Sequence, residues 1–196
     1  MENVTDSIAW HWYDLTCPFC YVSKSRNDIL RESGFHLLAL PFQAHPDVPA
    51  EGIYMGKRNG PLYDVLTKEA EEAGLPLNWP SRLPNSRYAL SMAEQVRRHI
   101  PGIFPAVKDR LYAAHFTLHE DLGSAEVVNN CLSEFGIDQQ DIKRWAGDEQ
   151  SRKDLATSQH IAQQAGIQGS PAWILHNRLI SGLQPRSRFQ QLTAHV

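Results

Sequence analysis

The sequence predicts an α/β fold. One sheet draws strands from both ends of the chain, and a large all-helical block is inserted between them. Three observations carry this reading. Residues 8–43 follow a β-α-β pattern, helical spacing dominates from Leu62 to Ala165, and a β-β-α pattern runs from Ala172 to Ala194. The outer strands need each other to complete a sheet. The expected division is therefore discontinuous, with 1–60 and 166–196 in one domain and 61–165 as the helical insertion.

Each element has a local cause. Ile8–Leu15 is aromatic and rich in β-formers, and reads as a strand. Thr16 is placed to cap a helix from Cys17 to Ser33, with Pro18 in its first turn and Gly34 at its C′ position. His36–Gln43 is a second strand, which Pro41 should end early or leave partly unpaired. The stretch from Ala44 to Pro61, with Pro46, Pro49, Gly52, Gly56 and Gly60, reads as an unusually long loop. Ala89, Met92, Ala93, Val96 and Ile100 keep helical spacing, as do Phe104, Val107, Leu111, His115 and Leu118. Val127, Val128, Cys131, Leu132 and Phe135 form another such set, stopped by Gly136. Asp138 can cap a short helix through Trp145, and Leu155, Ser158, Ala162 and Ala165 mark a helix stopped by Gly166. Ala172–His176 and Arg178–Ser181 flank Asn177 as a hairpin, and Pro185 opens a final helix.

Composition narrows the function classes. With 42% apolar residues, the 196-residue chain can bury a core without disulfide staples, which excludes disorder throughout. A net charge of −3 shows no basic excess, so no nucleic-acid partner is expected. No run of about 18 apolar residues is present, so no membrane span is expected. The opening residues lack a basic and then apolar leader, and the last five match no lipidation or retention signal, so the expected location is the cytoplasm. Three cysteines in that compartment are not expected to be structural bridges.

Two of them form Cys17-Pro18-Phe19-Cys20, directly after a strand and opening a helix. This spacing puts two sulfurs one helical turn apart. At a helix N-terminus the first sulfur meets unpaired N–H groups that favour its thiolate. Cys17 is then the natural nucleophile and Cys20 the deeper thiol that resolves a mixed disulfide, while Pro18 and Phe19 tune the redox balance. A zinc site would need two further ligands. Cys131 stands alone on an apolar face, and His115 and His119 lack the intervening Glu of a zinc-protease helix, so no metal is expected. Gly169-Ser170-Pro171-Ala172-Trp173 supplies a second signal. A Pro there, heading a strand, is expected to be cis and to leave the Ser170 backbone free to pair with an extended substrate. Such a loop beside a C-x-x-C is how thioredoxin-like folds close their site.

With these motifs in hand, the sequence resembles the DsbA family of the thioredoxin superfamily. More narrowly it is similar to the cytoplasmic FrnE-like branch, which is related to 2-hydroxychromene-2-carboxylate isomerases and kappa-class glutathione transferases. The resemblance rests on Asp14 through Tyr21, Phe42 through Gly52, Asn85-Ser86, Gly169 through Trp173 and Ser181 through Pro185, in the expected order over nearly the whole chain. It implies a thioredoxin-like fold with a helical insertion and a thiol–disulfide oxidoreductase or isomerase. It makes Cys17 and Cys20 catalytic and Ser170-Pro171 a substrate loop, with Asp14, Tyr21, Asn85 and Ser86 in supporting positions. Phe19 stands where His or Trp is often found, and Ser170 where a β-branched residue is commoner.

The expected activity is disulfide exchange by the dithiol with protein or small thiol substrates. Phe19, Ser170 and Pro171 would contact substrate. No cofactor is required; glutathione is a candidate co-substrate, and glutathione or another redox protein a candidate recycling partner. Two alternatives stay open: a glutathione-dependent isomerase or transferase on the same fold, and a redox-switched protein that captures a partner. A homodimer is compatible with the sequence, though no motif calls for one. Asp14 is a candidate proton relay or a capping residue, and Asn85-Ser86 a helix cap first and a ligand-facing pair second. Trp10, Trp12 and Phe19 are candidates for an apolar patch near the dithiol, and Cys131 for a small core residue.

Overall fold

The computed structural model describes residues 8–194. Strand β1 (Ile8–Tyr13) leads through a tight turn into helices α1 (Pro18–Val22) and α2 (Lys24–Glu32), and then strand β2 (His36–Pro41). The first strand stops two residues short of the expected Leu15. At Asp14 the side chain turns back, and its Oδ1 accepts from both the N–H and the hydroxyl of Thr16, each at 3.0 Å. Thr16 is thereby spent, and Cys17 rather than Thr16 is the N-cap residue of α1. The expected single helix is broken at Ser23, whose hydroxyl donates to Cys20 O at 2.8 Å and whose N–H reaches Phe19 O at 3.1 Å. This competition with the helical ladder is what serine side chains do well. Gly34 ends α2 at φ +87°, as its C′ position predicts.

The long loop is not featureless. It carries β3 (Ile53–Tyr54), which pairs antiparallel with β4 (Arg82–Leu83) beyond helix α3 (Pro61–Glu72). Gly52, at φ +70°, makes this possible, because a Cβ there would lie 2.7 Å from Leu83 O. Helices α4 (Arg87–His99), α5 (Phe104–Phe116), α6 (Ala125–Ser133), α7 (Gln139–Gly147) and α8 (Glu149–Gln164) follow. Asp138 caps α7 as expected, accepting from Gln140 N–H at 2.6 Å, and Asp148 does the same for α8 from Gln150 N–H at 2.9 Å. Leu118 keeps the helical spacing of Phe104, Val107, Leu111 and His115 of α5. The helix stops before it, and its side chain is exposed while Phe116 is buried in its stead.

The chain then returns to the sheet. Strands β5 (Ala172–Leu175) and β6 (Arg178–Ser181) form the expected hairpin, turned by His176 and Asn177 at φ +47° and +60°, and α9 (Arg186–Thr193) follows. The sheet order is β2-β1-β5-β6. β1 pairs parallel with β2 and antiparallel with β5, so strands from the two ends of the sequence are neighbours at its centre. Pro41 sits at the end of the outer strand β2 opposite Tyr13, where a missing N–H is tolerated, and Phe42 N–H resumes pairing to Tyr13 O at 2.8 Å.

Period-two alternation sorts the strand residues. Ala9, Trp173 and Leu175 pack with Leu30 and Phe189 on the α2–α9 face. Trp12, Leu40 and Ala172 pack with Ala162 on the α8 face. Trp12 is therefore a core residue, with its indole N–H on Ser158 O at 3.3 Å, rather than part of an apolar patch at the dithiol; Trp10 stacks on it. A larger cluster runs from Tyr13 and Leu15 through the inserted helices and includes the buried Cys131. Arg26, almost wholly buried on α2, joins sheet and insertion. It donates to Glu69 Oε2 on α3 at 2.6 Å and to Gln184 O before α9 at 2.9 Å. Among the described residues, no helix is long and apolar enough to cross a membrane.

Candidate active site

Cys17 stands at the turn from β1 into α1, where Cys17 N–H donates to Asp14 O at 3.2 Å. Pro18 occupies the first helical turn, where its missing N–H leaves nothing unpaired. The antiparallel pairing of β5 with β1 sets Ala172 beside Trp12, and so brings the loop before β5 up to that same turn. The Ser170-Pro171 bond is cis, as expected. The Cys17 thiol, half-buried, donates to Ser170 O at 3.3 Å. The whole helical block lies between these two residues in the sequence, and the pairing of β1 with β5 reunites them.

The two sulfurs are unequal. Cys20 lies one turn deeper and is 2% exposed, with Asp14 N–H pointing at its Sγ from 3.5 Å. The Cys20 thiol and then the Cys20 N–H favour a negative Cys17 sulfur, and hold the Cys17 pKa below its usual value against the opposing effect of burial. Burial first, then the hydrogen bond given to Cys17 and the charge of Cys17, push Cys20 well above the usual thiol range. Ser170 Oγ is buried without a conventional hydrogen-bond partner, and its presence favours the thiolate at both sulfurs. A reachable, acidified sulfur beside a buried, protonated one is a pair able to form and break a disulfide in a fixed order.

Asp14 closes the floor of the site. It is fully buried, and Oδ2 accepts from Ala44 N–H at 2.8 Å while Oδ1 holds Thr16. Burial raises its pKa above the ordinary carboxylate value, opposed by hydrogen bonds from Thr16, Ala44 and Ser86. Ser86 is the N-cap residue of α4, yet its side chain caps nothing. The capping bond comes from its neighbour: Asn85 Oδ1 accepts from Arg87 N–H at 3.0 Å and from Gln43 Nε2 at 3.0 Å. The pair thus divides its work, Asn85 tying loop to helix and Ser86 facing the carboxylate.

The remaining sequence candidates fall in different places. Phe19 and Cys17 are partly buried against the large apolar cluster. Tyr21 faces the helical insertion, stacked on Phe116 with centroids 4.8 Å apart and donating to Pro76 O at 2.7 Å, so it fastens α1 to the insertion. His45 is exposed. Tyr112 escaped sequence reasoning. It sits next to Leu111 on α5, yet its hydroxyl donates to Asp14 O at 3.3 Å and its ring is buried beside Tyr21 and Tyr13. Gln43, expected as the end of the second strand, lies beyond β2, and Ala44 reads only as a loop residue; what they hold is distant in sequence.

Comparison with known proteins gives a consistent picture. The family model for the DSBA-like thioredoxin domain matches residues 10–194. A probable DsbA oxidoreductase from Streptomyces coelicolor superposes with a TM-score of 0.82 at 19% identity, over 96% of this chain and 88% of that one. A 2-hydroxychromene-2-carboxylate isomerase gives a TM-score of 0.76 at 17% identity, over 96% and 93%. The cytosolic disulfide reductase DsbM from Pseudomonas aeruginosa, solved with glutathione, gives 0.65 at 16% identity, over 96% of each chain. These likenesses show the fold, thioredoxin-like with a helical insertion. No curated protein sequence matches the chain.

Proposed function

The chain belongs to the DSBA-like thioredoxin domain family, and from that premise we propose that it is a thiol–disulfide oxidoreductase working through Cys17 and Cys20. The observation that carries this is the inequality of the two sulfurs, one reachable with a lowered pKa and the other buried with a raised one. The Cys17 thiolate attacks a substrate disulfide. One substrate sulfur leaves as a thiolate, and Cys17 holds the other as a mixed disulfide. Cys20 loses its proton and attacks Cys17 Sγ, forming the Cys17–Cys20 bond and expelling the second substrate thiolate. Two electrons pass from protein to substrate; the reverse sequence oxidises a substrate dithiol.

Each neighbour has a role in this scheme. Asp14 N–H stabilises charge on Cys20, and the Asp14 carboxylate, made more basic by burial, takes its proton. The Ser170 backbone pairs with an extended substrate, and Phe19 and Pro171 give it apolar contact. The location is the cytoplasm, the substrates are disulfides or thiols of proteins or small molecules, and glutathione or a redox protein recycles the site.

Equilibration in glutathione redox buffers, trapped by an alkylating agent and read by intact mass, tests the proposal. Interconversion of Cys17 and Cys20 as an intramolecular disulfide is the expected result. Accumulation of a glutathione adduct on Cys17 alone would overturn it in favour of glutathione-dependent isomerase or transferase chemistry.

A further inference from the structure

A cavity of about 450 Å³ opens between the α1–α2 limb and α5, on the flank of Cys20. Lys108 reaches it from α5. The residue is 5% exposed, and its Nζ lies 4.9 Å from the centroid of the Tyr13 ring and 5.8 Å from that of Phe104. Among the described residues no carboxylate pairs with it. The two acids that line the same cavity are already engaged, Asp109 with Lys24 and Asp28 with Arg31, the latter pair at 2.9 Å.

A buried ammonium without a counter-ion is a costly arrangement, and an apolar side chain of similar size would usually be better tolerated. Burial and then Arg31 lower the Lys108 pKa only to about 8, so at neutral pH the side chain keeps its charge. The rest of the wall is largely apolar, with Leu75, Pro76, Pro105, Tyr112 and Ala113. One free cation beside such a wall matches a monoanion carrying an apolar body, better than a phosphate, which would leave charge unmatched.

We propose that this cavity binds a small organic carboxylate, with the Lys108 ammonium taking the carboxylate and Leu75, Pro105 and Tyr112 taking the apolar body. The site is separate from the Ser170 loop, and its existence does not depend on dithiol exchange.

The test is a titration of the full chain with 3-phenylpropanoate and with its neutral amide, followed by calorimetry and by backbone amide shifts. The expected result is a single site with shift changes at Lys108, Tyr112 and Ala113. The amide should bind at least about tenfold more weakly, tenfold being about 1.4 kcal/mol. Lys108→Met, which removes a buried unpaired charge, should weaken carboxylate binding by a similar factor and leave the amide unaffected. Ala113→Phe, which fills the cavity, should abolish binding of both. Equal affinity for acid and amide, full carboxylate affinity in Lys108→Met, shift changes confined to the Ser170 loop, or no binding at low millimolar concentration would each overturn the proposal. The acid–amide comparison needs no variant and decides the matter should Lys108→Met fail to fold.

Discussion

Asp14→Asn separates what the buried carboxylate does for stability from what it does for the sulfurs. Oδ1 accepts two hydrogen bonds from Thr16 at 3.0 Å each, and Oδ2 accepts Ala44 N–H at 2.8 Å. An amide has one oxygen. If it stays on Thr16, the new NH₂ faces the Ala44 N–H, donor against donor, at a cost of about 1–3 kcal/mol. For a chain of this length each kcal/mol lowers Tm by about 2–4 °C. The backbone N–H that touches Cys20 is unchanged, so the chemical effect isolates the carboxylate. Its negative charge opposes ionisation of Cys17. The variant should therefore show a Cys17 alkylation profile displaced to lower pH and a faster first attack. Resolution should move the other way. A positioned general base contributes about 10²–10⁴-fold, and we expect the lower end of that range, about a hundredfold, to be lost. The assay is stopped-flow: iodoacetamide against pH for Cys17, and release of a chromogenic thiol from a preformed Cys17 mixed disulfide for Cys20. Release at the wild-type rate, with the Cys17 profile displaced as described, would refute the proton-accepting role. A Cys17 profile displaced upward would refute the electrostatic argument itself.

Other expectations follow from the same geometry. In the native protein iodoacetamide should modify Cys17 with a midpoint below the free-cysteine value of about 8.5, leaving Cys20 and Cys131 untouched until denaturant is added; equal labelling of Cys17 and Cys20 by peptide mass analysis would contradict the burial argument. Ser170→Ala removes a hydroxyl that favours both thiolates, so Cys17 alkylation near neutrality should slow several-fold and the dithiol should become more reducing in glutathione buffers. Glu69→Gln should lower stability by about 2–3 kcal/mol, less than the ~3–5 of a fully buried pair because Glu69 is partly in water. The Arg26 hydrogen bond holds the Glu69 pKa below the ordinary value. This contribution is therefore complete above the unfolded carboxylate pKa of about 4.3 and vanishes as pH falls through the lower folded value, so denaturant midpoints of wild type and variant should converge in acid. Gly52→Ala drives a methyl to 2.7 Å from Leu83 O at a positive φ, and should detach β3 from β4, seen as faster proteolysis within residues 44–61.

Much of this architecture is legible in the sequence because local and global signals agree. The strand–turn–C-x-x-C–helix start, the helical spacings from Ala89 to Ala165 and the hairpin at Asn177 each have a cause within a few residues, and each is where it was expected. The misses have physical reasons. Thr16 has every attribute of a helix cap, but Asp14 two residues earlier captures its hydroxyl. Ser23 breaks a helix that propensity alone would continue. Leu118 fits the period of α5, yet the helix ends first. Trp12 lies close to Cys17 in sequence but points to the opposite face, since alternate strand residues do. At the site, Cys17, Cys20 and Ser170-Pro171 announce themselves by residue type and spacing. Ser86 enters through the family resemblance, and Ala44 and Tyr112 do not announce themselves, because their importance lies in touching Asp14 from distant stretches of chain. Lys108 reads as one more surface charge until the fold buries it.

The contact between Cys17 and Ser170 spans 153 positions in the sequence. A ribosome moving at about 5–20 residues per second needs roughly 8–30 s to cover that distance. Throughout that interval the nascent chain carries both sulfurs without their opposing loop, and without β5 to pair with β1. Reactivity at Cys17 before translation finishes is therefore unshaped by Ser170, and whether the thiols pair in that interval is set by the redox state of their surroundings rather than by the fold. Selectivity arrives only when the last strand does.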